Sequence, residues 1–219
     1  MAITTYFIGG IASDERLFKY QLAAVENSVY LPFPKHEKKD TMETYVRKFI
    51  PLIDRSQPFN LIGNSMGGIM TMELIKHIQP EKVVLISSIK SRSEMPAKLK
   101  ILKYTYAHKL LPGTGFIGAI QYGSLFKPDV LKTPALRKLA ISMAKSNEPS
   151  FLYWCVNAIV NWQGTDDYRK DIIHIHGTKD EMFPFSKIKN AIPILGGTHQ
   201  MMLNKHEAVN TILLEKLNA

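Results

Sequence analysis

The segment Phe59-Asn60-Leu61-Ile62-Gly63-Asn64-Ser65-Met66-Gly67-Gly68 carries more structural information than any other part of this sequence. The run Phe59 to Ile62 reads as a strand, and a helix-patterned stretch from Gly68 to Gln79 follows. Between them lies Gly-x-Ser-x-Gly. A strand–turn–helix setting separates a serine presented for chemistry from a glycine-rich turn with an incidental serine. The turn is so tight that the residues two before and two after the serine must be nearly free of side chain. Gly63 and Gly67 meet that demand. Ser65 is then held above the sheet with a helix N-terminus beneath it.

A nucleophilic serine needs a base, and the base needs an orienting carboxylate. Downstream, Ile172-Ile173-His174-Ile175-His176-Gly177-Thr178-Lys179-Asp180 reads as a buried strand ending in a loop that carries an acid. Ile192-Pro193-Ile194-Leu195-Gly196-Gly197-Thr198-His199 reads as another apolar run ending in a loop that carries a histidine. Ser65, Asp180 and His199 each stand just past the C-terminal end of an expected strand. Asp167 and Asp171 precede the Ile172 strand and would lie at its wrong end. Glu181, next to Asp180, is the close rival for the acid.

The motifs GNSMGG, HGTKDEMFP and GGTHQMM, in this order, resemble the α/β-hydrolase superfamily. The resemblance covers nearly the whole chain apart from a middle insertion, and it is specific to the superfamily, not to one activity. It implies a mostly parallel sheet with helices on both faces and a helical cap. It also implies Ser65 as nucleophile, His199 as base and Asp180 as orienting acid. Backbone N–H groups of Met66 and Ile11 would form the oxyanion hole, although Gly9 stands where a histidine is usual. The chain starts too close to its first parallel strand to hold the first two strands of the full eight-strand pattern. A core of about six strands is therefore expected, over 1–88 and 168–219, with the cap over 89–167.

The order of elements agrees. Ile3 to Ile8 reads as the first strand and not as a signal peptide. Asp14 and Glu15 favour the start of a helix to about Asn27. Val29 to Pro34 is a short strand broken by prolines. Asp40-Thr41-Met42-Glu43 resembles a capping box. The helix after it puts Tyr45, Val46, Phe49, Ile50 and Ile53 on one face. The Ser65 helix should run to about Gln79, and Val83 to Ile86 is a buried parallel strand. Pro32 and Pro193 cannot donate to a ladder, which places their strands at the sheet edges. Strands alternating with helices argue for a parallel sheet covered on both faces.

The middle insertion breaks this alternation with helical segments such as Lys98 to Lys103, and Pro112, Gly113, Gly115 and Gly118 mark a turn region. Its aromatics, Phe116, Tyr122, Phe126, Trp154 and Trp162, either line an apolar pocket or pack the cap against the body. The chain carries a net charge of +9, and residues 89–163 hold eleven Lys and Arg against three acids, a net +8. The plainest reading is a solvated basic face. Anionic substrates or an acidic membrane surface are the further readings. Nucleic acid is not expected, because no recognised binding motif accompanies the charge.

At 219 residues the chain suits one domain with a substantial core. No apolar run approaches the length of a membrane span. The single cysteine, Cys155, excludes an intramolecular disulfide and fits a reducing, cytoplasmic compartment. It lies in an apolar helical stretch without a nearby basic group, so a buried structural thiol is expected. His174 and His176 alternate on one strand, yet no third metal ligand is apparent, and His-Gly before the acid loop reads as structural. His36, His77, His108 and His206 read as surface residues. No phosphate-binding glycine loop occurs, so neither a nucleotide cofactor nor any other is indicated.

The expected function is hydrolysis of an ester or thioester of a small acyl substrate through an acyl-enzyme. C–C bond hydrolysis or a lyase reaction on the same triad is the alternative among enzymes. A non-catalytic ligand-binding protein of the same fold is the alternative outside them.

Overall fold

The computed structural model describes residues 3–105, 133–164 and 171–219. Six strands form one sheet: β1 (Thr4–Ile8), β2 (Ser28–Leu31), β3 (Phe59–Asn64), β4 (Val83–Ile86), β5 (Ile173–Gly177) and β6 (Ile192–Ile194). Their order is β2-β1-β3-β4-β5-β6, and every neighbouring pair is parallel. Parallel neighbours cannot be joined by a tight turn. Helices α1 (Lys19–Ala24), α2 (Met42–Val46) and α3 (Met66–Leu74) supply the first three crossovers. Between β4 and β5 lie α4 (Ala97–Thr105), α5 (Pro134–Lys145) and α6 (Pro149–Asn161). After β6 come α7 (Met201–Asn204) and α8 (His206–Asn218).

Successive strand residues point to opposite faces, and here both faces are covered. Tyr6, Ile8, Leu61, Val83 and Leu85 pack with Tyr45 and Val46 of α2 and Ile69 and Met70 of α3. Phe7, Ile62, Val84, Ile86 and Ile175 pack on the other side with Val209 and Leu213 of α8. This explains why the strands read as continuous apolar runs and not as alternation.

β2 and β6 are the two edges, as the prolines imply. Only Pro193 acts through the ladder, opposite His176; Pro32 lies one residue beyond β2. Three boundaries differ from expectation. Asp14 caps a 3₁₀ turn, Glu15–Phe18, and the following α1 stops at Ala24. Asn27 then takes a φ of 51° on the way into β2, a left-handed turn that no helix accommodates. The capping box is present one residue later than read: Thr41 is the N-cap and Thr44, not Glu43, reaches back. Asp40 is instead engaged by Lys48 at 2.7 Å and by the Glu37 N–H at 2.7 Å. The Ser65 helix ends at Leu74, short of Gln79.

The described helices between β4 and β5 are fastened to the sheet body. Trp154 donates its indole N–H to the Asp40 carbonyl at 2.9 Å, and Trp162 donates to the Glu73 carboxylate at 2.7 Å. Both rings are buried, so these two aromatics pack the segment against the body. Buried Cys155 lies in the same core, and burial pushes its thiol pKa well up. On α5, Ser142 accepts from Arg16, and Ser146 donates to Asp14 from the turn after it. Several basic groups of this segment donate to carbonyls: Lys90 to Lys189, Lys98 to Glu181, Arg92 to Val160 and Trp162. Phe116, Tyr122, Phe126, the Pro112 to Gly118 turn, His108 and Asp167 lie outside the described residues. Among the described residues no helix is long and apolar enough to cross a membrane.

Candidate active site

The site is built on the C-terminal ends of three strands. β3 runs directly into Ser65, which takes φ 53° and ψ −118°, and α3 begins at the next residue. That conformation is sparsely populated for a residue with a Cβ and costs on the order of 1–3 kcal/mol. The chain can turn this sharply because its flanks are bare. A Cβ at Gly63 would meet the Gly67 carbonyl and the Thr71 hydroxyl, and one at Gly67 would meet the Ile8 and Gly9 carbonyls. Several bonds hold the turn. The Ser65 N–H donates to the Ile86 carbonyl at 3.0 Å. The Ser65 carbonyl accepts from Gly68 N–H at 3.0 Å and from the Ser88 hydroxyl at 2.7 Å.

Ser65 Oγ lies 2.9 Å from His199 Nε2, and His199 Nδ1 lies 2.9 Å from Asp180 Oδ2. The contacts run unbroken from hydroxyl to imidazole to carboxylate. The Nδ1–H donates to the acid, which leaves Nε2 as the lone pair facing the hydroxyl. All three side chains are buried, at 7%, 7% and 5% relative exposure for Ser65, His199 and Asp180, so their hydrogen bonds form in surroundings of low dielectric.

Burial alone would raise the Asp180 carboxyl's pKa. The charge and hydrogen bond of His199, the nearby His176 and the Phe183 N–H outweigh it and hold the group below its ordinary value. Asp180 Oδ1 accepts from the Met182 and Phe183 N–H groups, each at 2.9 Å, so the carboxylate is gripped on both oxygens. Glu181 makes no bond to the imidazole: its backbone carbonyl takes Lys98, and its Oε2 is buried without a hydrogen bond among the described residues. Asp171 precedes β5, at the far end of the strand from Asp180.

The loop after β1 closes the site from the other side. The position a Cβ would take on Gly10 is 3.0 Å from Ser65 Cβ. Ser13 fixes this loop by donating its hydroxyl to the Gly10 carbonyl at 2.7 Å. Ile11, half-buried, packs toward Ala12 and Leu152, and buried Met66 opens α3. The elements that carry Met66 and Ile11 therefore flank the serine.

His174 and His176 have structural partners. His174 Nε2 donates to the Ser88 carbonyl at 3.1 Å and His176 Nε2 to the Phe183 carbonyl at 2.8 Å. Burial lowers both pKa values, most strongly for His174. The three described histidines expected at the surface are half-buried. His36 lies against Phe151 and Trp154, and His206 stacks on Tyr20 with ring centroids 3.7 Å apart. Ser88 was not singled out by sequence. Its only signal is the Ser87-Ser88 pair directly after β4, where Ser87 takes a φ of 48°.

The parallel sheet, the helices on both faces and the three strand-end loops define the α/β-hydrolase fold, and this chain has it. Solved structures match along its whole length. A carboxylesterase of the thaumarchaeon Nitrososphaera gargenis superposes with a TM-score of 0.79 at 14% identity, covering 99% of this chain and 90% of its own. MenH from S. aureus gives 0.78 at 16% identity, covering 99% and 93%. A bromoperoxidase from Bacillus anthracis gives 0.73 at 20% identity, covering 100% and 93%. No family model and no curated protein matches the sequence.

Proposed function

We propose that the chain is a serine hydrolase that cleaves a carboxylic ester or thioester through an acyl-enzyme. The observation that carries this is the chain of two 2.9 Å contacts from Ser65 Oγ through His199 to Asp180. Ser65 Oγ attacks the carbonyl carbon while His199 Nε2 takes its proton. The N–H groups of Met66 and Ile11 hold the oxyanion. Removing one such donor typically costs about 10²–10³ in rate. His199 then returns the proton to the departing alkoxide or thiolate. Water, activated by the same imidazole, releases the acid and frees Ser65. Asp180 keeps the imidazole in the productive tautomer and stabilises its charged form. No cofactor enters this sequence.

The neighbours of this fold bear names for different activities, so the acyl group does not follow from the fold. We assign substrate choice to residues 89–167 acting as a cap, whose basic excess favours an anionic acyl group. A fluorophosphonate should label the protein stoichiometrically, and Ser65→Ala should abolish labelling while the melting transition persists. Labelling that survives the substitution removes Ser65 from its role. A panel of p-nitrophenyl esters and acyl-CoA thioesters then separates the two substrate classes.

A further inference from the structure

A second imidazole stands beside the acid, near the same oxygen that His199 engages. His176, fully buried on β5, donates its Nε2–H to the Phe183 carbonyl at 2.8 Å and lies 3.4 Å from Asp180 Oδ2. Phe183 is gripped at both ends of its backbone. Its carbonyl is held by His176, and its N–H holds Asp180 Oδ1 at 2.9 Å. The Phe183 ring also meets His199 edge-on, with centroids 5.6 Å apart. One hydrogen bond from β5 thus fixes the residue that touches both the acid and the base.

We infer that His176 is a positioning residue, which locks the 180–183 loop so that Asp180 presents Oδ2 to His199. This rests on the proposed roles of Ser65, His199 and Asp180. Packing alone does not explain an imidazole at this position. Its Nδ1 is buried with no hydrogen-bond partner among the described residues. An unsatisfied buried polar atom is costly, and an apolar ring of similar size would remove that atom but leave the Phe183 carbonyl unpaired. What an apolar ring lacks is the donor to the Phe183 carbonyl. Without it the turn that grips Asp180 loosens while the rest of β5 keeps its packing. Small misplacements of a catalytic group, of about 1 Å, are enough to cost on the order of 10²-fold in rate.

The test uses ester hydrolysis and the second-order rate of fluorophosphonate labelling on the full chain. His176→Phe should lower kcat and the labelling rate by about 10–100-fold with KM within about twofold. His176→Gln, which retains an N–H donor near the Nε2 position, should recover most of the loss. In an Asp180→Asn background His176→Phe should have no further effect, since residues that act as a unit are not additive. His176→Met serves the same comparison if the Phe variant does not fold. Unchanged labelling in the apolar variants overturns the inference. So do equal losses in Phe and Gln, or full additivity with Asp180→Asn. Wild-type labelling in Asp180→Asn itself would instead remove Asp180 from the triad, which is a different failure.

Discussion

The backbone at Ser65 allows function to be separated from strain by comparing Ser65→Ala with Ser65→Gly. Both variants lose the hydroxyl and its contact with His199, so the difference between them reports the backbone. At φ 53° and ψ −118° a Cβ is strained by about 2 kcal/mol, and glycine escapes that strain. Against it stand the greater freedom of an unfolded glycine, about 0.5–1 kcal/mol, and the loss of one buried carbon, about 0.8 kcal/mol. Alanine is also a poor residue at a helix N-cap, the place Ser65 occupies before α3, which shifts about a further 0.5 kcal/mol toward glycine. The balance favours Ser65→Gly by about 1 kcal/mol. For a chain of this size that is a melting temperature about 2–4 °C above that of Ser65→Ala. Differential scanning calorimetry on the two variants, both silent to fluorophosphonate, measures it directly. A glycine variant that melts at or below the alanine variant would refute the claim that this turn stores strain.

Asp180→Asn should lower kcat by about 10⁴-fold, because its amide would face His199 Nδ1–H and favour the wrong tautomer, while Glu181→Gln should leave kcat unchanged. Steady-state hydrolysis of a p-nitrophenyl ester compares them, and full activity in Asp180→Asn would move the role to Glu181. Cys155 should resist a thiol reagent until the protein unfolds, since its sulfur is buried and its thiol is held protonated; prompt stoichiometric reaction under native conditions would contradict that. If the basic segment steers substrate, kcat/KM for an anionic ester should fall as salt rises, while a neutral ester of similar size stays constant. Equal responses would leave that charge as a solvated face.

The parts of this molecule legible in sequence are those where one residue type has few physical uses. Gly63 and Gly67 could be read because a Cβ at either place collides with backbone. Pro193 could be read because it cannot donate to a ladder. The acid loop could be read because it follows a run whose burial the sequence shows, and the histidine loop because it follows an apolar run that its proline confines to a sheet edge. Where several residues can perform the same task, the reading slipped. Thr41, Thr44 and Glu43 all offer oxygen atoms for a cap, and the register was settled by Lys48 drawing Asp40 away. All nine residues of α3 are buried, so no polar face marks where it stops. His36 and His206 read as polar groups, yet each presents a flat ring to aromatic neighbours, and sequence does not name those neighbours. His176 was read as structural; its bond to Phe183 depends on a turn that forms only after the strand has ended.

Ser65 and His199 are separated by 134 residues, and they meet only across strands that have no local turn to join them. Contacts so distant along the chain form late and slowly, because loop closure must precede the contacts that reward it. A chain emerging from the ribosome has its elbow early, but it cannot pair the serine with its imidazole until β6 has added to the sheet edge. The nucleophilicity proposed for Ser65 is therefore a property of the finished sheet. During refolding, recovery of fluorophosphonate labelling should trail the recovery of helical signal, and its lag times the docking of the last strand.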